Sequence, residues 1–355
     1  MNEPKFLEID GAYGEGGGAI LRLSAGFSVL FNLPIKIRNI RANRPKPGLR
    51  LQHLLGLKGL SELTNSNLSD CKVGTTELSL IPKKNVKKDL NLNISTAASI
   101  GLLLQPIQIA SLSFKSTENI EIVLSGGGTF GKWAPSLNYL QKVIYPIFAK
   151  AGLNIDIDIQ KHGWYPKGGA RAKCIISPPK TKLEPVNLTE LGNLNIIQGE
   201  IIITNQLRRN RDNIAVRVRK SVIQTFKRNL KIDTDIKYTW VDSTSPGIGL
   251  YLWSESDTGA IISTGTLLGE KRLSSEKLGT LAANEILKYI QNDIPVDNYL
   301  SDQLIPLMAY IGAPSKIKVL EVTSHTRTNL DLIKLFTNRE NRIIKEKKGF
   351  LIEYL

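Results

Sequence analysis

Histidine, cysteine and methionine are scarce, with three, two and two in 355 residues. So few cysteines exclude a disulfide framework, and Cys71 and Cys174 stand in no C-x-x-C or Cys/His spacing, which excludes a zinc site built on them. No apolar run reaches the ~18 residues that a bilayer-spanning helix requires. The opening MNEPKFLEID lacks the basic and apolar regions of a secretory signal, so a cytoplasmic protein with no membrane partner is expected. Negative charge is also short. Aspartate and glutamate number 32 against 47 lysines and arginines, a formal charge of +15. An excess of that size points to a polyanion, nucleic acid above all; a generally basic surface is the plainer alternative. With 41% hydrophobic residues, a chain of this length has room for two domains and a sizeable core.

What is present begins with glycine. A strand-like stretch at 5–10 runs into GAYGEGGG at 11–18, followed by apolar residues at helical spacing over 19–31. A glycine-rich loop opening a helix can bring backbone N–H groups against phosphate, although this one matches neither the Walker pattern nor the dinucleotide fingerprint. Glu15 inside the loop and Arg22 one turn into the helix would suit a metal-bound polyphosphate, the carboxylate on the metal and the guanidinium on the phosphate. A strand at 34–40 then leads to RANRPKPGLR at 41–50, where Arg41, Arg44, Lys46 and Arg50 share a turn stiffened by Pro45 and Pro47. Such a turn at a helix start can clamp oxyanions, or it can be a solvated basic loop. The helix 51–63 and two strands, near 72–73 and at 77–81, close the unit.

The order recurs: strand 89–94, helix 95–112, strand 118–124, glycine loop 125–131, helix 134–151, strands 154–160 and 172–176. It recurs again as helix 301–311, strand 315–323, helix 330–338 and strands 342–345 and 349–353. The first two copies are offset by roughly eighty-five residues, the mark of an internal repeat. Packed about a common axis, three such units would face the loops 41–48, 126–135 and 324–329 toward one another. A second ring would hold the starts of the first helices, with Glu15, Arg22, Gln105, Asp302 and Gln303. Between the second and third copies lies an expected inserted domain, 183–277, leaving 1–182 and 278–355 as the repeated domain. The insertion's helix 213–230 carries Arg217, Arg219, Lys220, Lys227 and Arg228, a face that could track a phosphodiester backbone or be merely solvated.

His325 stands in VLEVTSHTRTN, 319–329, where a strand-like run gives way to short polar residues, which places it on a strand-to-helix loop. On that context alone it could be a surface residue or a catalyst. His53, in a helix beside the basic loop, and His162, before a glycine, have plain structural roles open to them.

The segments GEGGGAILR, IRANRPKPGL, HGWYPKGGA, YLSDQ and SHTRTN occur together, in this order, over essentially the whole chain. In that combination the sequence resembles the RNA 3'-terminal phosphate cyclase family. The resemblance implies an α/β (α+β) fold of three repeated units, each of two helices on a four-stranded sheet, with a smaller inserted α/β domain of thioredoxin-like topology. It implies that His325 is the nucleophile that takes AMP from ATP. Gln105, Pro135, Tyr299, Asp302 and Gln303 would surround the nucleotide, Arg22, Arg41, Arg44 and Gln52 would hold phosphates of ATP or of the RNA end, and Glu15 would bind a divalent metal, Mg or Mn. The implied reaction is a ligase-type nucleotidyl transfer: ATP and an RNA 3'-phosphate give a 2',3'-cyclic phosphate, AMP and pyrophosphate, by way of a histidine-AMP and an RNA adenylate. A non-catalytic RNA-binding ribosome-assembly branch shares the fold and lacks the histidine. Two positions depart from the family pattern. Ala170 replaces the last glycine of the HGWYPKGGA segment, and Phe130 follows GGT where many relatives are polar, which leaves contacts near the nucleotide open.

Overall fold

A computed structural model describes residues 4–14, 16–83, 85–208 and 213–355. Three four-stranded sheets share one connectivity. In the first, Leu7–Asp10 runs parallel to Ile35–Arg38, which pairs antiparallel with Leu78–Ile81, and that strand with Asn67–Leu68. In the second, Asp89–Ser99 is parallel to Ile120–Gly128, followed by Arg171–Ser177 and Asn154–Lys161, both antiparallel. The third places Ser315–Val319 beside Phe350–Tyr354 and Asn341–Lys345, again antiparallel. Strict alternation drives the pairing: Leu90, Leu92 and Ile94 are buried while Asn91 and Asn93 face water.

Each sheet is covered by two helices. The lead helices are Gly18–Phe31, Ile100–Ser111 and Asn298–Tyr310, and the second helices are Leu51–Thr64, the helical run 137–150 and Ser324–Ile333. Asn32 and Asn65 end the first pair in the left-handed region, a conformation in which asparagine is favoured among residues with a side chain. The second helix of the second repeat passes through a π turn at Leu140–Ile144, just ahead of Pro146 in Tyr145–Lys150. The repeated architecture is therefore as read from the sequence, with local corrections. The outer strand of the first unit is Asn67–Leu68, where 72–73 was expected. The third unit does not begin at its lead helix: its first strand is Asn187–Leu188, parallel to Ser315–Val319.

That strand moves the edges of the insertion. Asn187–Leu188 fell within the expected insert 183–277 yet belongs to the third sheet, while Ser275–Asn292 packs on the insert helix Ile214–Asn229 through Ser221 Oγ, which donates to the Glu276 carbonyl at 2.7 Å. On pairing and packing, the insertion lies between the first strand of the third unit and its lead helix. Its own sheet sets Ile196–Thr204 parallel to Asp233–Val241 and antiparallel to Ile248–Glu255, which pairs antiparallel with Ile261–Ser263. A parallel βαβ followed by antiparallel strands and a closing helix is a thioredoxin-like order.

The segment HGWYPKGGA fastens this insertion to the second repeat. Trp164 stacks on Phe130 at 5.0 Å and 10°, and the pair forms a small separate core with Ile202 of the insert. Gly247 and Gly249, also of the insert, lie so close that Trp164 and Phe130 occupy the space of a side chain at each. Phe130 is thus buried against the insert. Ala170 is buried too, its N–H donating to the Gly127 carbonyl at 3.2 Å.

A methyl group at Gly247 would overpack this junction. Gly247→Ala should lower unfolding stability by ~1–3 kcal/mol, whereas Gly312→Ala, with nothing within 4 Å, should leave it nearly unchanged. Calorimetric unfolding of the two variants checks this, and equal midpoints would deny the insert a tight seat.

Candidate active site

Side chains from the second and third turns of the three lead helices meet. Arg22 Nε donates to Gln105 Oε1 at 2.9 Å, joining the first lead helix to the second, and Gln108 Nε2 donates to Gln303 Oε1 at 3.3 Å, joining the second to the third. Around this meeting point lies a cavity of about 420 Å³ whose wall includes Arg22, Gln105, Pro135, Tyr299, Asp302, Gln303 and His325. That volume falls in the usual range for a small-molecule site. Seven residues drawn from widely separated parts of the chain thus share one wall. The ring of first-helix starts expected from the repeat is present in Arg22, Gln105, Asp302 and Gln303, while Glu15 lies outside the described residues. Of the three expected facing loops, the second and third reach the cavity through Pro135 and His325; the loop 41–48 does not line it.

His325 differs in placement from the sequence reading. The helix expected at 330 begins at Ser324, so the histidine sits on its first turn rather than on a loop before it. Thr323 is the cap, its Oγ1 accepting from Thr326 N–H at 3.0 Å. Asp302 fixes this helix start from the neighbouring lead helix. Its Oδ1 accepts from Thr326 Oγ1 at 2.7 Å and from Thr323 Oγ1 at 3.3 Å, and its carbonyl accepts from Asn329 Nδ2 at 3.0 Å. Asp302 was expected as a nucleotide neighbour; it lines the cavity and also braces the turn that bears His325. His325 is exposed, whereas His53 is buried and His162 half-buried.

Asp297 caps the lead helix that carries Tyr299, Asp302 and Gln303. Its Oδ1 accepts from the Tyr299 and Leu300 N–H groups at 2.9 Å each, and from Tyr139 Oη at 3.1 Å. Burial pushes this carboxyl up to about 7 despite those bonds. Tyr299 lies with its ring against Gly265 and edge-on to Tyr139, 6.3 Å away.

The glycine loop ties the first repeat to this wall. Tyr13 Oη donates to Asp331 Oδ2 at 2.9 Å on the His325 helix, and a Cβ on Gly14 would meet Thr328 Oγ1 at 2.7 Å. On its other side Gly17 lies against Arg44, whose Nη2 would be 2.9 Å from an added Cβ, and His53 Nε2 occupies the space beside Gly18. Arg44 and Gln52 therefore stand behind the loop, Gln52 Nε2 lying 3.4 Å from His53 Nε2. Arg41 Nη1 donates to the Lys46 and Gly48 carbonyls at 2.7 and 3.0 Å, bracing its own turn.

Charge is poorly balanced here. Burial lowers the Arg22 guanidinium to about 10, and Arg41 is lowered by burial and then by Arg50 and Arg44. His53 is driven to about 3, first by burial and then by Arg22, Arg41 and Arg50, so it is neutral. Its Nδ1 accepts from Arg50 N–H at 3.2 Å, which closes the cap of the second helix. Clustered cations with helix N-termini suit a polyphosphate. Among the described residues, no three metal-ligating side chains come together.

Sequence reasoning missed the contribution of the insert: Gly265, Thr266, Leu268 and Glu270 complete the wall, with Lys132 and Trp133. Ser136 Oγ lies 2.6 Å from Thr266 Oγ1 across that join. No motif marks the insert residues, which come to the wall with the insert, whereas Lys132 and Trp133 stand in the loop 126–135, the second of the expected facing loops.

His53 makes acid stability testable. The unfolded imidazole takes a proton near its ordinary 6.5, the folded one only near 3, so stability should fall as pH drops through that window by up to ~1.4 kcal/mol per unit. His53→Gln should flatten the fall of the urea midpoint between these pH values, and an unaltered slope would mean that the folded imidazole is protonated in the ordinary range.

The family model for RNA 3'-terminal phosphate cyclase matches residues 13–343. The chain is 36% identical over 334 residues to the RNA 3'-terminal phosphate cyclase of Pyrococcus abyssi, covering 94% of each. It is 35% identical over 332 residues to that of Thermococcus kodakarensis, covering 94% of this chain and 93% of the relative. To that of Methanothermobacter thermautotrophicus it is 34% identical over 349 residues, covering 97% and 98%. With the repeated sheets, the shared cavity and near full-length similarity in agreement, the chain belongs to the RNA 3'-terminal phosphate cyclase family.

Proposed function

We propose that this protein converts an RNA 3'-phosphate end to a 2',3'-cyclic phosphate with ATP, by way of AMP carried first on His325 and then on the RNA. The observation that carries the reading is the placement of exposed His325 on a braced helix turn, in one cavity with Tyr299, Gln303, Pro135 and Arg22. In the first step an unprotonated ring nitrogen bonds to the α-phosphorus of ATP, and the bond to the departing pyrophosphate oxygen breaks. Arg22 and the N-terminus of the helix that bears His325 offset the phosphoryl charge that would repel a nucleophile.

In the second step an oxygen of the RNA 3'-phosphate bonds to the same phosphorus while the P–N bond breaks, which restores the histidine. In the third, the adjacent ribose 2'-oxygen bonds to the 3'-phosphorus, its proton passes to solvent, and cleavage of the anhydride releases AMP. The vicinal hydroxyl is already in position, so the step calls for no dedicated base, and its need for a 2'-hydroxyl restricts the substrate to RNA ends. Mg or Mn would accompany ATP. The described residues form no cage for such an ion, and Glu15 lies outside them, so no step is assigned to a metal.

ATP labelled at the α-phosphate should leave label on a peptide containing His325, and His325→Ala should abolish it. Label on His53 or His162 instead, or release of inorganic phosphate in place of pyrophosphate, would sink the proposal. On RNA already carrying the 3'-terminal adenylate, His325→Ala should still cyclise. Arg22→Ala should lose about ten- to a hundredfold there, since a charge-assisted bond is worth ~1.5–3 kcal/mol. Equal losses in the two variants would give His325 a part in the last step.

A further inference from the structure

Trp133 stands at the rim of the cavity and is 90% exposed. An indole left in water forgoes more apolar burial than almost any other side chain could provide. This one is also held at a φ of 59°, in the left-handed region that a bulky residue seldom adopts. Backbone pairing of Gly131 with Ala134 pins the turn. The Lys132 ammonium lies 5.0 Å from the ring centroid and is anchored at 2.8 Å to Glu270 of the insert. One face of the indole is thus backed by a cation tied across the cavity mouth, while the rest of the ring is open. Pro135, two residues on, is already in the wall beside the helix of His325.

An apolar protein partner would call for an apolar surround, but the neighbours of this ring are the charged Lys132 and Glu270. An open indole at the mouth of a cavity that holds Arg22 and His325, on a chain of net charge +15, matches the chemistry that stacks an unpaired nucleobase. We propose that Trp133 is the stacking platform for the terminal base of the RNA substrate, holding the ribose 3'-phosphate end in front of His325. This rests on the reading of the site as an RNA 3'-phosphate cyclase. Since every base presents a π-face, the platform would accept all four bases with little preference.

The test is kinetic, with the full-length protein and a short RNA 3'-phosphate. Trp133→Ala should raise KM for the RNA by about five- to a hundredfold, Trp133→Phe should recover most of it, and the ATP dependence of protein labelling should not shift. With an oligonucleotide whose terminal nucleotide lacks its base, the unaltered protein should show the raised KM, and Trp133→Ala should add nothing further. An unchanged RNA KM in Trp133→Ala, or an equal further rise on the baseless end, overturns the proposal. A shift in the ATP dependence without one for RNA also overturns it, because the ring would then be serving adenine. Absence of label on His325 in the unaltered protein is a separate result that defeats the cyclase reading. Stacking is then read directly, as RNA-induced quenching of tryptophan fluorescence that must vanish in Trp133→Phe; quenching that persists in that variant overturns the platform.

Discussion

The meeting of the three lead helices, joined one to two turns in from their N-termini, constrains the rest of this molecule. The helices meet around Arg22, whose guanidinium is buried and is lowered to about 10 by that burial. Uncharged amides hold the helices in register: Gln105 accepts from the Arg22 guanidinium, and Gln108 donates to Gln303. Glutamine ties the elements together without adding a further carboxylate to those of Asp302 and Glu270 in the wall.

Much of the fold was legible because it is repeated. Alternation in DLNLNI and the helical spacing of the lead helices each carry a local signal, and repetition multiplied it. What escaped had no local signal to give. Asn187–Leu188 is two residues long, and only its pairing with Lys316 and Ile317, far along the chain, makes it the first strand of the third unit. The start of the His325 helix was placed late for a related reason. Serine, threonine and asparagine in SHTRTN are weak helix formers, and the helix begins there because Asp302, distant in sequence, bonds Thr323 and Thr326. Tertiary contact overrode propensity at the residue proposed as the nucleophile.

The same distinction divides the site. His325, Tyr299, Asp302 and Gln303 stand in segments whose resemblance to a family could be read directly, whereas Gly265, Thr266, Leu268 and Glu270 could not. The latter depend on how the insertion sits, and that seat is made by two aromatic rings and two glycines with no polar signature. The basic turn 41–50 shows the converse. Its composition advertised a phosphate clamp, yet Arg41 is engaged with the carbonyls of its own turn and Arg44 lies behind Gly17, so the turn shapes the glycine loop and sets the potential from outside the wall.

The three-step reaction proposed for this one cavity would require that the histidine move little between steps, since the adenylyl group it received would have to be met by a second phosphate from the open side. The structure provides that fixity from two directions. Asp302 holds the beginning of the helix through Thr323 and Thr326, and the glycine loop grips its flank through Tyr13 on Asp331 and Gly14 on Thr328. Because that loop also abuts Arg44 and His53 of the first repeat, displacement of the His325 helix would disturb contacts in two of the three units. His53 stays neutral among three arginines, so it packs against Gly18 without adding a further charge to those around the loop. The repeats are therefore coupled at the loop that phosphate would approach, and the insert closes the remaining side through Glu270 and Thr266. Walls on those sides leave the exposed rim at Trp133 as the approach proposed for the RNA end.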